Sequence, residues 1–505
     1  MEKVASLKIR MFAGEKTPAK ASFLLTLMKK CNTNKGGKIF TMIKNNISIL
    51  IFLFFTPSYL FSQQISFQKT YDFGYSDRGT CVKQTQDSGY VVAGWQGIGF
   101  STANIIVMKT DKYGTMQWSD IIGNDERYAN YVTNCSSGGY AVVGFIPIVR
   151  DSVSSEDIYV IRLNNNGDTV WTRHYGTPSL ESGTCIQETL NHDFVISFAS
   201  HDTSGILKID SVGNVLWWKR YFIYNGVSFN NIFELPTGDY ILSGSTAKGT
   251  PNLSQGAIMR TDSNGDSLWF RDYGGIGEDQ FYEAQKTLDG NIIVAGISAP
   301  NVSSTYDSYV LKLDLNGDTI WTKRFGTQND GCLSISVCSD GGYIVGGTIY
   351  YPTNSDMFIT KLNAYGDSLW TKDFGDSTGS IGYFVRQTND KGYILVGESG
   401  AGDVYLVKTD STGNAILSIN ELGSQSFSFN AYPNPATTTL NLTISNEEGI
   451  KNVRIYNLLG ECLLHQQLTT NNQQVTLDVS SYAKGVYFVE VQTEEGIMRK
   501  KIIKE

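Results

Sequence analysis

Histidine is scarce in this chain of 505 residues, and so is proline, at 4 and 10. His174, His192, His201 and His465 stand at no metal-ligand spacing from one another, from cysteine or from acid, which argues against a zinc centre. No Gly-x-Ser-x-Gly elbow, phosphate loop or dinucleotide fingerprint occurs, so no catalytic residue, cofactor or metal is assigned from motifs. Sustained 3.6-residue apolar periods are also few. With 51 glycines and 12% aromatic residues, pattern and composition point to an all-β protein rich in turns.

No stretch reads as a permanent transmembrane segment. The apolar run Ile47–Phe55 is about nine residues, against the roughly 20 that a spanning helix needs. Basic Met42-Ile43-Lys44 precedes it and Leu60-Phe61-Ser62 follows, so residues 42–62 read as a secretory signal peptide cleaved after Ser62. Residues 1–41 are basic and patternless, and are read as a misassigned extension with Met42 as the true start.

The formal charge of −8 is uneven. Residues 1–62 carry a net +8, which leaves −16 on the rest. A body that acidic repels phosphate backbones, so nucleic acid is not an expected partner. Six cysteines remain after the leader: Cys81, Cys135, Cys185, Cys332, Cys338 and Cys462. Cys332 and Cys338 fall on one predicted strand, roughly 20 Å apart, while a disulfide needs Cα atoms within about 7 Å. Small buried thiols are expected instead.

Self-comparison is the informative step. GDTVWTRHYG (Gly167–Gly176) recurs from Gly265, Gly317 and Gly366, with weaker copies from Gly114, Gly213 and Gly413. DSGYVVAG (Asp87–Gly94) and DIYVIRLN (Asp157–Asn164) recur in step with it. The last always carries a basic residue: Lys109, Arg162, Lys208, Arg260, Lys312, Lys361, Lys408. Each unit holds four short alternating strands, the third and fourth joined by a tight turn in which Gly supplies positive φ. One such sheet cannot bury both faces, but seven stacked radially can, which predicts a seven-bladed β-propeller over residues 63–420. Ile65–Asp72 resembles a stray fourth strand with Phe67 in the Trp place, and would complete the last blade, whose own copy at Ala415-Ile416-Leu417 has decayed. Closing the ring in this way removes an exposed edge. Along the fourth strand Trp171, Arg173 and Tyr175 share one face, and their recurrence is read as stacking and cation–π contact between blades rather than a ligand platform.

These units resemble the Gly-x-x-x-Trp propeller repeats of secreted bacterial proteins and, more distantly, those of quinoprotein dehydrogenases. The quinoprotein spacing is one residue longer and no matching cofactor residues appear, so that enzymology is not implied.

After a linker at residues 421–431 the grammar changes. Tyr432-Pro433-Asn434-Pro435 leads into alternating Leu440–Ile444, then Val453–Gly460 with Tyr456 and Gly460, then Gly485-Val486-Tyr487, and an end at Lys504-Glu505. The alternation describes a small immunoglobulin-like β-sandwich over residues 432–505 and by itself also fits an ordinary binding module. In content and order the motifs look like the type A C-terminal sorting domain of the type IX secretion system. That resemblance implies a Gram-negative host, the type IX machinery as partner, and a secreted or surface location after removal of the sorting domain. It also implies frequent attachment to lipopolysaccharide.

Weaker chemical signals have bland explanations beside them. Asp262–Asp266 resembles a calcium loop but is also the blade turn. Asp77, Asp125, Glu126, Glu181, Glu278, Asp279 and Asp330 could face the central channel as paired carboxylates for a glycosidase, or could cap turns. Asp-Thr/Ser-apolar triplets from Asp168, Asp266, Asp318 and Asp367 resemble the O-glycosylation acceptor of bacteria using this route. The loops between second and third strands vary most, and carry Trp95, Phe100, Arg150, Tyr306, Tyr350 and Tyr351. Exposed aromatics beside polar groups suit extracellular glycan or protein, so these six are the expected ligand-binding residues. The functional expectation is a non-catalytic, surface-displayed or released binding or adhesion protein. The alternatives are a polysaccharide hydrolase or lyase using channel carboxylates, and a structural cell-envelope component.

Overall fold

The computed structural model describes residues 65–505, except 99–101, 124–126, 151–152, 201–202, 224–225, 248–253, 300–304, 327–328, 376–377, 416–428, 445–448, 458–461 and 494–496. The expected signal peptide, Phe100, Asp125, Glu126, Gly460 and most of the expected linker therefore lie outside the described residues. Every regular element described is a strand, and no helix is long and apolar enough to cross a membrane.

Seven four-stranded antiparallel sheets form the propeller. Blades 1 to 6 span Ser76–Ile122, Tyr128–Tyr175, Glu181–Tyr221, Val227–Tyr273, Asp279–Phe325 and Asn329–Phe374. Blade 7 combines Ser380–Thr409 with the strand Phe67–Tyr71, which pairs antiparallel to Val404–Lys408. The first strands neighbour one another in a closed cycle, so they surround the axis. The expected closure by an early strand is present, and Gly114 packs against the Phe67 ring.

Each repeated motif has a physical task. In the turn of blade 2, Gly167 adopts φ +91° while its N–H donates to the Asn164 carbonyl. The recurrent basic residue of the third strand is buried in most blades and reaches the carboxylate in the turn joining the first two strands. Lys109–Asp87 is 2.8 Å, Arg260–Asp239 2.6 Å, Lys312–Asp289 2.7 Å, Lys361–Asp340 3.0 Å and Lys408–Asp390 2.9 Å. Blade 2 has no acid in that turn, and Arg162 donates instead to Ser137 and the Gly138 carbonyl. A cation this dry needs such a partner.

Neighbouring blades are joined by the fourth-strand stripe. Trp118–Tyr140, Trp217–Tyr240, Trp321–Tyr343 and Trp370–Tyr393 bring rings of adjacent blades within 5.8–6.1 Å. Tyr71, Tyr175, Tyr221 and Tyr273 donate their hydroxyls to the turn-glycine carbonyls of the next blade, at 2.6–2.8 Å. The basic member keeps a cation–π contact in blade 2, where Arg173 lies 5.9 Å from the Trp171 ring of its own strand, and takes another role in three other blades. Lys219, Arg271 and Lys323 form ion pairs with Asp266, Asp318 and Asp367 of the following turn, because that carboxylate is closer to hand than an aromatic face.

Two further expectations are corrected. The stretch around Arg150, expected as a loop between second and third strands, is largely an extended hairpin of Tyr140–Arg150 and Val153–Leu163. Cys462 is exposed, whereas the other five thiols are buried; all six are free.

The C-terminal strands make a three-stranded and a four-stranded sheet around one core that includes Phe429, Leu442, Val453, Val489 and Ile502. The strand Phe429–Tyr432 takes in residues 429–431, which the sequence placed in the linker. Asn434 accepts from the Ile503 N–H (2.8 Å) and donates to the Lys501 carbonyl (3.2 Å), so the Tyr-Pro-Asn-Pro motif clamps the final strand. Tyr487 is buried with its hydroxyl on the Ala483 carbonyl, Tyr456 reaches Glu490, and Lys504 is buried; Tyr432, Pro433, Pro435 and Gly485 are exposed.

Candidate functional site

The first strand of every blade carries a β-bulge at the same place, between Gly79 and Cys81 in blade 1 and at equivalent positions in the other six. The bulged residues are Thr80, Asn130, Thr184, Asn230, Tyr282, Leu333 and Tyr383, and all seven line a concavity of about 420 Å³ on the axis. A bulge re-aims its side chain, and here seven are re-aimed into one space. In six blades a second-strand glycine admits it, and in blade 3 Phe198 stands there, paired with Gly205 of the third strand. A Cβ on Gly144 would lie 1.7 Å from the Tyr128 carbonyl oxygen, and one on Gly397 1.9 Å from that of Ile381.

This ring is not seven-fold in chemistry. In blades 1 to 4 the bulged side chain donates to the next blade: Thr80 to Ala129 (2.8 Å), Asn130 to Gly183 (2.8 Å), Thr184 to Phe229 (2.9 Å) and Asn230 to Phe281 (2.8 Å). In blades 5 to 7 the position holds Tyr282, Leu333 and Tyr383. Burial pushes both phenols up to about 12, so they remain protonated donors at neutral pH. One wall of the chamber is amide and hydroxyl, and the other is aromatic and apolar.

A second concavity of about 280 Å³ adjoins the first, sharing Tyr131, Asn231 and Glu283. Here charges meet across the axis. Arg386 of blade 7 pairs with Glu283 of blade 5, which also accepts from the Ser334 hydroxyl (2.6 Å) and the Ile335 N–H (3.1 Å). Tyr131 of blade 2 accepts from Lys83 (2.9 Å) and Gln187 (3.1 Å), and the guanidinium of Arg386 lies 3.8 Å over the Phe384 ring. Burial and then Arg386 pull the Lys83 ammonium down to about 8. Burial alone would raise the Glu283 carboxyl, yet Arg386, Lys83 and Ser334 hold it below its usual range. Among the described residues no other carboxylate lines either chamber.

The acids expected in the channel are elsewhere. Asp77 accepts from the Phe73 N–H (2.6 Å), Glu181 from Thr177 (3.1 Å) and Asp279 from Gly275 (2.8 Å), so they cap the loops entering their blades. Asp330 accepts from the Ser308 N–H, and Glu278 from the Tyr306 hydroxyl. Asp262 spends one carboxylate oxygen on the N–H groups of Asn264 and Asp266 within its own turn.

The predicted ligand residues separate. Trp95, Arg150 and Tyr350 are in strands rather than loops. Trp95 and Tyr383 share the guanidinium of Arg78, at 4.7 and 5.0 Å, which ties Trp95 to the lumen. Tyr350 is exposed. Arg150 is committed to Asp157 and Ser155, and Tyr351 donates to Asp373 at 3.1 Å. The lumen residues were missed because no motif marks them. They sit in one column of the repeat, and only the alignment of seven first strands shows that the column changes character.

Residues 430–505 match the family described as the secretion system C-terminal sorting domain. This sorting domain directs the chain through the type IX machinery to the extracellular space or outer cell surface, with the tail removed. No curated protein sequence matches the chain. Similar solved structures include PorZ, described as an essential surface component of the type IX secretion system of Porphyromonas gingivalis. It shares 12% identity over 84% of this chain and 59% of that one, at a TM-score of 0.41. The extracellular domain of a putative one-component system from B. thetaiotaomicron gives 11%, 86%, 58% and 0.41. Sqt1 of Chaetomium thermophilum gives 10%, 69%, 97% and 0.43. The chain thus spans under two thirds of the first two proteins, and ends in the sorting domain just described.

Proposed function

We propose that the exported propeller is a non-catalytic binding protein that holds a saccharide-class ligand at the mouth of its central channel. The observation that carries this reading is the two-sided ring of bulged residues. Aromatic faces stack on the apolar faces of a sugar, and amide and hydroxyl groups opposite them meet its hydroxyls. Glycosidase chemistry asks for two carboxylates some 5 to 10 Å apart, whereas among the described residues Glu283 is the one carboxylate bordering the lumen, and its charge is locked to Arg386. That supports binding over turnover.

The test is a glycan array probed with the full exported chain, with reducing ends assayed in parallel. Tyr282→Ala and Tyr383→Ala should each weaken saturable binding at least about tenfold, equivalent to about 1.4 kcal/mol. Trp95→Ala and Tyr350→Ala, at the rim, should weaken it less, and Tyr351→Ala should leave it unchanged. Unaltered affinity in the two lumen variants would overturn the assignment of the site. Released product would overturn the non-catalytic reading.

A further inference from the structure

The carboxylates of Asp72, Asp77 and Asp403 converge where the ring closes, each offering an oxygen within 4.8 Å of the others. Asp72 immediately follows the early strand Phe67–Tyr71, and Asp403 immediately precedes Val404–Thr409, with which that strand pairs. Asp77 opens blade 1. It is fully buried, and while one oxygen of this clustered carboxylate accepts from the Phe73 N–H, its Oδ1 has no hydrogen-bond partner among the described residues. A buried carboxylate oxygen left in this way is costly unless something cationic meets it.

Blades 3 and 5 show what is absent here. Glu181 and Asp279, at the equivalent of Asp77, face Arg220 (2.5 Å) and Arg324 (3.6 Å), each three residues after its fourth-strand Trp. Blade 1 has Ile121 at that position, after Trp118. The neighbouring Arg78 gives its guanidinium to Glu398 (2.9 Å), which adds a fourth negative charge nearby. Burial first, then Asp72, Asp403 and Glu398, push the Asp77 carboxyl up to about 6.

We infer that Asp72, Asp77 and Asp403 bind a calcium ion that fastens the N-terminal strand into blade 7. All three donors are hard oxygens. Such a set of carboxylates suits Ca²⁺, which takes six to eight oxygen ligands in flexible geometry, better than Mg²⁺, which demands near-ideal octahedral placement and keeps several waters. Blade 7 is where a metal clip has most to do. In the other six blades a covalent hairpin joins the third and fourth strands, whereas here the fourth strand is held by a five-residue ladder with no turn linking it to the third.

The test is thermal unfolding and titration calorimetry of the full chain, stripped with a chelator and then given Ca²⁺ or Mg²⁺. Calcium should bind one ion per chain and raise the melting temperature by about 3 °C or more, with magnesium far weaker. Asp403→Asn and Asp72→Asn should fold, lose at least about tenfold in calcium affinity and lose the thermal shift. A wild-type shift in both variants, an equal effect of magnesium, or no heat of binding would each sink the assignment. These outcomes are independent of whether the channel binds a saccharide.

Discussion

Lys83 shows how a single position departs from its repeat. Its counterparts on the other first strands are Thr133, Gln187, Phe233, Gln285, Ser336 and Arg386. Placed in the lumen beside Arg386, it pays desolvation and repulsion together and falls to about 8. In the unfolded chain a lysine titrates near 10.4. As pH rises through 8 the folded protein releases this proton first, so the unfolded state binds more protons and stability rises up to about pH 10.4. Facing Lys83 are the charged Arg386 and Glu283, the Tyr131 hydroxyl, and the Cys81 and Cys185 thiols, which burial pushes up and keeps protonated. Chemical denaturation between pH 7 and 10 should show that rise, and Lys83→Met should flatten it. A Lys83→Met profile parallel to wild type would place the effect elsewhere.

The first strand and its partner act as one device. A bulged first strand pushes a carbonyl toward the second strand, and in six of the seven blades a glycine with no Cβ to meet it takes that place, while blade 3 has Phe198 there. Gly397→Ala should therefore do more than lose a turn of freedom. It places a methyl 1.9 Å from the Ile381 carbonyl, which forces the bulge to flatten and withdraws Tyr383 from the lumen. Destabilisation of about 3 kcal/mol or more is expected, read as a lowered melting temperature together with weakened ligand binding. A melt within about 0.5 kcal/mol of wild type would show that the bulge tolerates a side chain.

The ring as a whole depends on the strand Phe67–Tyr71. Its loss leaves Val404–Thr409 as an open edge with unpaired N–H and C=O groups. A chain beginning at Phe73 should unfold at lower temperature and self-associate through that edge, seen as dimer or larger species on size-exclusion chromatography. A monomer with the wild-type melt would mean that the third strand closes blade 7 unaided. The same strand explains why closure was legible in advance. Phe67 stands in the Trp place, and the decay at Ala415 left one blade without its own fourth strand.

The sequence by itself determined the repeat, the strand count, the turns, the closing strand and the sorting motifs. Each of these depends on local chemistry that recurs: alternation, a glycine at positive φ, a buried lysine facing a turn aspartate. The tertiary structure alone decided which side chains meet in the lumen and which cap loops. Whether Asp77, Glu181 and Asp279 face the channel or cap a loop depends on how seven sheets tilt about one axis. Lys83, Tyr131, Glu283 and Arg386 lie up to about three hundred residues apart in sequence, and Asp72 and Asp403 come from opposite ends of the ring. Local pattern carries no record of such meetings, because they arise only when the circle closes.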